Sequence, residues 1–134
     1  MLLLDTHVVH WLASNDARLG KKVRRLIEAT APERLSVSAV SFWELGQLLR
    51  KKGLDPPIVG GIAGLRAGLT TSGYRLLDLT LDDVFAADSL VGFHGDTGDR
   101  FLVGTALAAE FDFVTADVKI LAWSGPLKRI DARA

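Results

Sequence analysis

Short apolar runs, each ending on a polar residue, alternate along this chain with stretches of helical periodicity, and this alternation narrows the possible folds more than any other feature. Leu2 to Leu4 is the first run; it closes on Asp5 and reads as a buried strand, followed by apolar residues at helical spacing from Val8 to Ala13. Val23, Leu26 and Ile27 repeat at the same spacing in a basic segment, giving a second helix that Pro32 stops. Leu35 to Val40 alternates as a strand and runs straight into the stripe Phe42, Leu45, Leu48 and Leu49, which ends at Gly53 and Pro56-Pro57. Ile58, Ile62, Leu65 and Leu69 share a helical face, although Gly60, Gly61, Gly64 and Gly68 interrupt it, each at a cost of about 1 kcal/mol relative to alanine.

Tyr74 to Leu79 is the next strand, Thr80 with Asp83 a capping pair, and Val84 to Leu90 a helix. A punctuated loop, His94-Gly95-Asp96-Thr97-Gly98, then leads to a helix opened by Asp99 and running through Ala109. Phe113 to Thr115 is a strand, Asp117 starts a short helix, and Leu127 to Ile130 is the last strand. Strands that alternate with helices form a parallel sheet covered on both faces, so the expected class is an α/β sandwich. With 134 residues and no repeat or linker, one domain over 1–134 is expected.

There is no cysteine, which removes disulfide scaffolds, thiolate zinc sites and thiol nucleophiles together. That usage, and an N-terminus without a basic leader, point to a cytoplasmic chain. Lysine plus arginine equals aspartate plus glutamate at 16 each, so no bulk positive field draws in a polyanion. Basic residues do gather locally, at Lys21, Lys22, Arg24 and Arg25, at Arg50 to Lys52, and at Lys128, Arg129 and Arg133. These are solvated helix faces by default and phosphate contacts by function.

The chemistry lies in four carboxylates. Asp5 directly follows the first strand, Glu44 lies in the first turn of the helix after the second, Asp99 opens a helix that precedes a strand, and Asp117 stands two residues beyond Thr115. Ligands of an open parallel sheet bind outside the carboxyl ends of its strands, where Asp5, Glu44 and Asp117 project. Two ionised carboxylates about 4 Å apart repel by roughly 4 kcal/mol at an effective dielectric of 20, so a cluster of them holds either protons or cations. Oxygen-only ligands suit Mg²⁺ or Mn²⁺, ions that activate water and stabilise an in-line displacement at phosphorus. Each acid also has a plainer explanation: Asp99 and Asp117 as helix caps, and Glu44 as the far end of a capping box begun by Ser41. Asp5 has the fewest alternatives, since an ionisable group straight after a buried strand must find a partner or shift its pKa.

Leu4-Asp5-Thr6-His7, the segment from Val37 to Glu44, His94-Gly95-Asp96-Thr97-Gly98-Asp99-Arg100, and Val114-Thr115-Ala116-Asp117 together resemble the signature segments of PIN domains, in order and over essentially the whole chain. The likeness is strongest to the VapC-type ribonuclease toxins of bacterial toxin–antitoxin pairs. It implies a PIN-like α/β domain, a divalent-metal endoribonuclease with Asp5, Glu44, Asp99 and Asp117 as the acidic quartet, a cognate antitoxin and a homodimer. Related toxins carry Arg, Pro and Phe where this loop has Gly95, Thr97 and Gly98, so the loop is expected to be more mobile here. Asp96 reads as an auxiliary ligand or as a turn aspartate, and Arg100 as a phosphate contact or a structural partner of a carboxylate. Thr6 and Thr115 are candidate partners of a carboxylate or of bound water.

His7, His10 and His94 match no recurring zinc spacing. Trp11, Trp43 and Trp123 are core residues by default, with Trp11 and Trp43 as the alternative border of a partner groove. Three rivals are kept. A dehalogenase-type phosphatase would want a second aspartate where His7 stands. A receiver-like Mg²⁺-binding phospho-acceptor module would use Asp78 and Lys119. A catalytically silent PIN scaffold would keep the fold alone.

Overall fold

A computed structural model describes residues 1–134. In chain order the elements are β1 (Leu2–Leu4), α1 (Thr6–Ala13), α2 (Lys21–Ala29), a 3₁₀ turn (Pro32–Arg34), β2 (Leu35–Ser38), α3 (Ala39–Lys51), α4 (Gly61–Thr71), β3 (Arg75–Leu77), α5 (Leu81–Asp88), α6 (Thr97–Ala109), β4 (Asp112–Thr115), α7 (Val118–Ala122) and β5 (Arg129–Asp131). The five strands form one sheet of order β3-β2-β1-β4-β5, and every neighbouring pair is parallel. The expected α/β sandwich is therefore the observed architecture.

Alternation along the strands sends side chains to two faces, and each face has its own core. Leu2 and Leu4 of β1, Leu35 and Val37 of β2 and Val114 of β4 pack with Val8, Val23, Leu45 and Leu65 of α1 to α4. Leu3 and Phe113, one position out of step, pack on the other face with Leu102, Val103 and Ala106 of α6 and Ile120 of α7. No helix is long and apolar enough to cross a membrane.

Several expected boundaries move. The second strand ends at Ser38, whose hydroxyl accepts from the Val40 N–H and so starts α3 without a loop; Val40 is helical. Ile58 lies outside α4, which begins at Gly61. β3 is shorter than the Tyr74 to Leu79 run because its ladder with β2 covers only Arg75 to Leu77. Thr80 and Asp83 form the expected capping box. Asp99, expected to open α6, lies inside it: the N-cap is Asp96. Trp11 and Trp123 are buried as expected, but Trp43 is 62 % exposed, on the face of α3 that leaves the core.

Candidate active site

β1 is the central strand, so its carboxyl end lies between those of β2 and β4, and residues following all three strands meet there. Asp5 caps α1 and is buried, with both oxygens engaged: Oδ1 accepts from the Thr6 N–H at 2.7 Å and Oδ2 from the Thr115 hydroxyl at 2.6 Å. Thr115 accepts in turn from the Asp117 N–H at 3.0 Å, linking the β4 end to the β1 end. Asp117 caps α7 by accepting from the Lys119 and Ile120 N–H groups.

On the other side, the Thr6 hydroxyl donates to Glu44 Oε1 at 2.6 Å and lies 3.0 Å from the Ser41 hydroxyl. Thr6 has one hydroxyl proton, and Glu44 takes it, so Ser41 is the donor in the second contact. This arrangement corrects the expected Ser41–Glu44 capping box. Ser38 already caps α3, which leaves Ser41 and Glu44 free to face Thr6. Asp96 and Asp99 hold one another through reciprocal caps, Asp96 Oδ1 accepting from the Asp99 N–H at 2.9 Å and Asp99 Oδ2 from the Asp96 N–H at 3.3 Å.

These groups share a cleft of about 310 Å³ lined by Asp5, Glu44, Asp96, Asp99 and Asp117 along with His7, Gln47 and Lys51. A second cleft of about 600 Å³ adjoins it through Asp96, Asp99 and Asp117 and carries His94, Lys119 and Arg133. The structure thus brings together all four expected acids, with Thr6, Thr115 and Asp96 beside them. Arg100 is not brought there: its guanidinium lies over Phe93 and donates to the Ala87 and Leu90 carbonyls. The receiver-like pair is also separated, with Asp78 in a groove at the β3 edge and Lys119 in the cleft beside the acids.

Gly95 and Gly98 are not merely permissive. A Cβ at Gly98 would stand 2.4 Å from Glu44 Oε2, and one at Gly95 would stand 2.4 Å from the Phe93 ring and 2.7 Å from the Asp99 Cβ. Both glycines let α6 begin hard against the acids.

Crowding shows in the acidities. Burial pushes the Asp5 carboxyl up, against the hydrogen bonds from Thr115 and Thr6. Burial also raises Glu44, opposed by the Thr6 hydroxyl and reinforced by the charges of Asp96 and Asp5. Asp99 is pushed up to about 7, by burial first and then by the charges of Asp96 and Asp5. None of these acids is in an ion pair, the one ion pair in the fold joining Arg18 to Asp16.

As the side chains stand, no three of them converge closely enough to enclose a metal ion, each acid being turned to its own N–H or hydroxyl donor. The donor set still fits a hard divalent cation: it is all oxygen, clustered, partly buried and engaged in no ion pair.

Sequence reading missed Gln47 and gave other settings to the rest: Ser41 as the start of a capping box, Lys51 and Arg133 as members of basic clusters, and Lys119 as part of the receiver-like alternative. Gln47 and Lys51 follow Glu44 by three and seven residues, so a helical face drawn from Glu44 would have found them. Arg133, legible only as one of a basic cluster, reaches the site through the pairing of β5 with β4.

The chain is 28% identical over 122 residues to Ribonuclease VapC22 of Mycobacterium tuberculosis, covering 89% of this chain and 88% of that protein. Its fold is similar to that of DNA-bound VapBC from Salmonella typhimurium, with a TM-score of 0.72 at 14% identity over 97% of this chain and 96% of the other. It is also similar to a toxin–antitoxin complex from Klebsiella pneumoniae, with a TM-score of 0.70 at 18% identity over 98% of each chain. The family model for the PIN domain matches residues 2–123, nearly the whole span that builds the sheet and the acidic cleft, and the chain therefore belongs to the PIN domain family.

Proposed function

We propose that this chain is a divalent-metal-dependent endoribonuclease of the VapC type, the toxin of a toxin–antitoxin pair that inhibits translation or growth. Asp5, Glu44, Asp99 and Asp117 hold Mg²⁺ or Mn²⁺, a cognate antitoxin restrains the enzyme, and it acts as a cytoplasmic homodimer. The observation that carries the reading is the gathering of these acids, none of them in an ion pair, in one cleft at the carboxyl ends of β1, β2 and β4. Its context is the PIN domain family, a relative named as a ribonuclease and structural neighbours that are toxin–antitoxin complexes.

When bound, the divalent ion supplies charge neutralisation and an activated water for in-line displacement at phosphorus. The protein supplies orientation. Thr115 and the Thr6 N–H fix Asp5, the Thr6 hydroxyl fixes Glu44 with Ser41 behind it, and the reciprocal caps fix Asp96 and Asp99 at the start of α6. Lys51 on one side, and Lys119 and Arg133 on the other, flank the acids and meet the phosphates of a strand laid across them.

Asp5→Asn preserves shape while deleting the charge a divalent ion needs. Mn²⁺ titration calorimetry is expected to show heat with the native chain and none with the variant. Cleavage of structured RNA should fall by roughly a hundredfold or more, the scale on which the loss of one electrostatic contact to a transition state acts. Equal Mn²⁺ affinity in the two chains would remove Asp5 from the site. A small phosphodonor should leave Asp78 unmodified, and an aspartyl-phosphate there would favour the receiver-like reading.

A further inference from the structure

Between α3 and the start of α6 lies a cleft of about 620 Å³ whose apolar part the chemistry above does not use. The volume is in the ordinary range for a small-molecule pocket. Trp43, Phe101 and Leu79 form apolar walls, and Glu44, Gln47 and Asp96 place polar atoms along the edge. Those three polar residues also line the acidic cleft, so the two spaces are continuous. Trp43 is 62 % exposed. Arg50, two turns further along α3, lies over its ring at 5.2 Å from the centroid and restrains it. Gln47, one turn from Trp43, presents an amide with both a donor and an acceptor.

We infer that this cleft is a nucleobase subsite, in which the base adjoining the cut phosphodiester stacks on Trp43 while the Gln47 amide reads its edge. The inference rests on the ribonuclease reading and deepens it, since it assigns the source of base preference. Single-stranded RNA is recognised by stacking on aromatic side chains and by hydrogen bonds to base edges, and this cleft offers one of each beside the acids. The continuity of this cleft with the acids favours a base of the bound strand as its occupant, since a second copy of the chain seated here would cover Glu44 and Asp96.

The test uses nucleoside 5′-monophosphates, which contain no linkage to cut and so report on the subsite alone. Trp11 and Trp123 are buried, so quenching of tryptophan emission by a stacked base reports on Trp43. Saturable quenching is expected in the native chain, strongest for one of the four bases, and Trp43→Phe should lose most of it. Superimposable curves for the two chains overturn the inference.

In a second arm, random-sequence RNA with Mn²⁺ should be cut by the native chain with a biased base beside the break. Trp43→Ala should raise KM about tenfold and flatten that bias, the effect of losing one stacked base. Gln47→Ala should shift which base is preferred. An unchanged bias in Trp43→Ala overturns the subsite. So does a Trp43→Ala chain that sediments at half the native mass, which would make this face a contact between copies. A native chain that binds the bases but cuts no RNA leaves the subsite standing and removes the ribonuclease reading.

Discussion

Arg100 stands one residue from Asp99, yet its guanidinium donates to the Ala87 and Leu90 carbonyls at 2.8 and 3.5 Å, at the C-terminal end of α5 where a cation also meets the negative end of the helix dipole. Its closeness to Asp99 along the chain suggested a phosphate contact; one residue along a helix turns a side chain by about 100°, toward α5 in this case. Arg100→Ala is therefore expected to cost about 1.5–3 kcal/mol of stability, the range for hydrogen bonds to charged groups, and to leave RNA affinity at fixed Mg²⁺ unchanged. Lys51→Ala and Lys119→Ala should behave in the opposite way, weakening RNA binding and reducing its salt dependence while the melting temperature barely moves. Thermal melts run beside binding titrations separate the two behaviours. The threonines were easier to read: Thr6 and Thr115 each adjoin or nearly adjoin an expected acid at the end of a strand, and each donates to a carboxylate.

Helices α5 and α6 pack against one another closely enough that a Cβ at Gly104 would stand 2.6 Å from the Ala87 nitrogen and 2.8 Å from the Asp83 oxygen. Both obstacles are backbone and cannot rotate away. Gly104→Ala should destabilise by about 1–3 kcal/mol as overpacking, outweighing the gain of about 1 kcal/mol in helix propensity. Urea denaturation measures this directly, and cleavage should fall as well, because pushing α6 off α5 displaces Asp96 and Asp99. Nothing in the sequence around Gly104 announces this contact, since periodicity finds a helix but not its neighbour. The order of strands and helices was legible because each short apolar run has a turn signal after it. The starts of α3 and α6 were not, because Ser38 and Ser41, like Asp96 and Asp99, are equally good caps three residues apart. Only the pairing of Ser38 with Leu77, and the fold of the loop before Asp96, choose between them.

Taken as a whole the molecule is formally neutral, but its acids are concentrated at one end of the sheet. Asp5, Glu44 and Asp99 all titrate above their ordinary values, Asp99 at about 7. Between the ordinary carboxylate range and pH 7 the folded chain thus binds more protons than the unfolded one, and stability falls as pH rises through that window. The metal-free protein should melt several degrees lower at pH 7.5 than at pH 5, and Mn²⁺ at about 100 times its dissociation constant should restore roughly 2.7 kcal/mol at the higher pH. A melting temperature that climbs with pH in the absence of metal would contradict this charge balance. The bond from Thr115 to Asp5, between residues 110 apart in sequence, also has a bearing on synthesis. A ribosome releases Asp5 first and must add most of the chain before Thr115 exists to hold it, so the centre stays unassembled through most of elongation. Under the proposed function the nascent polypeptide is therefore inert toward the RNA of the machine translating it, and that delay gives a restraining partner time to be present before the first cut.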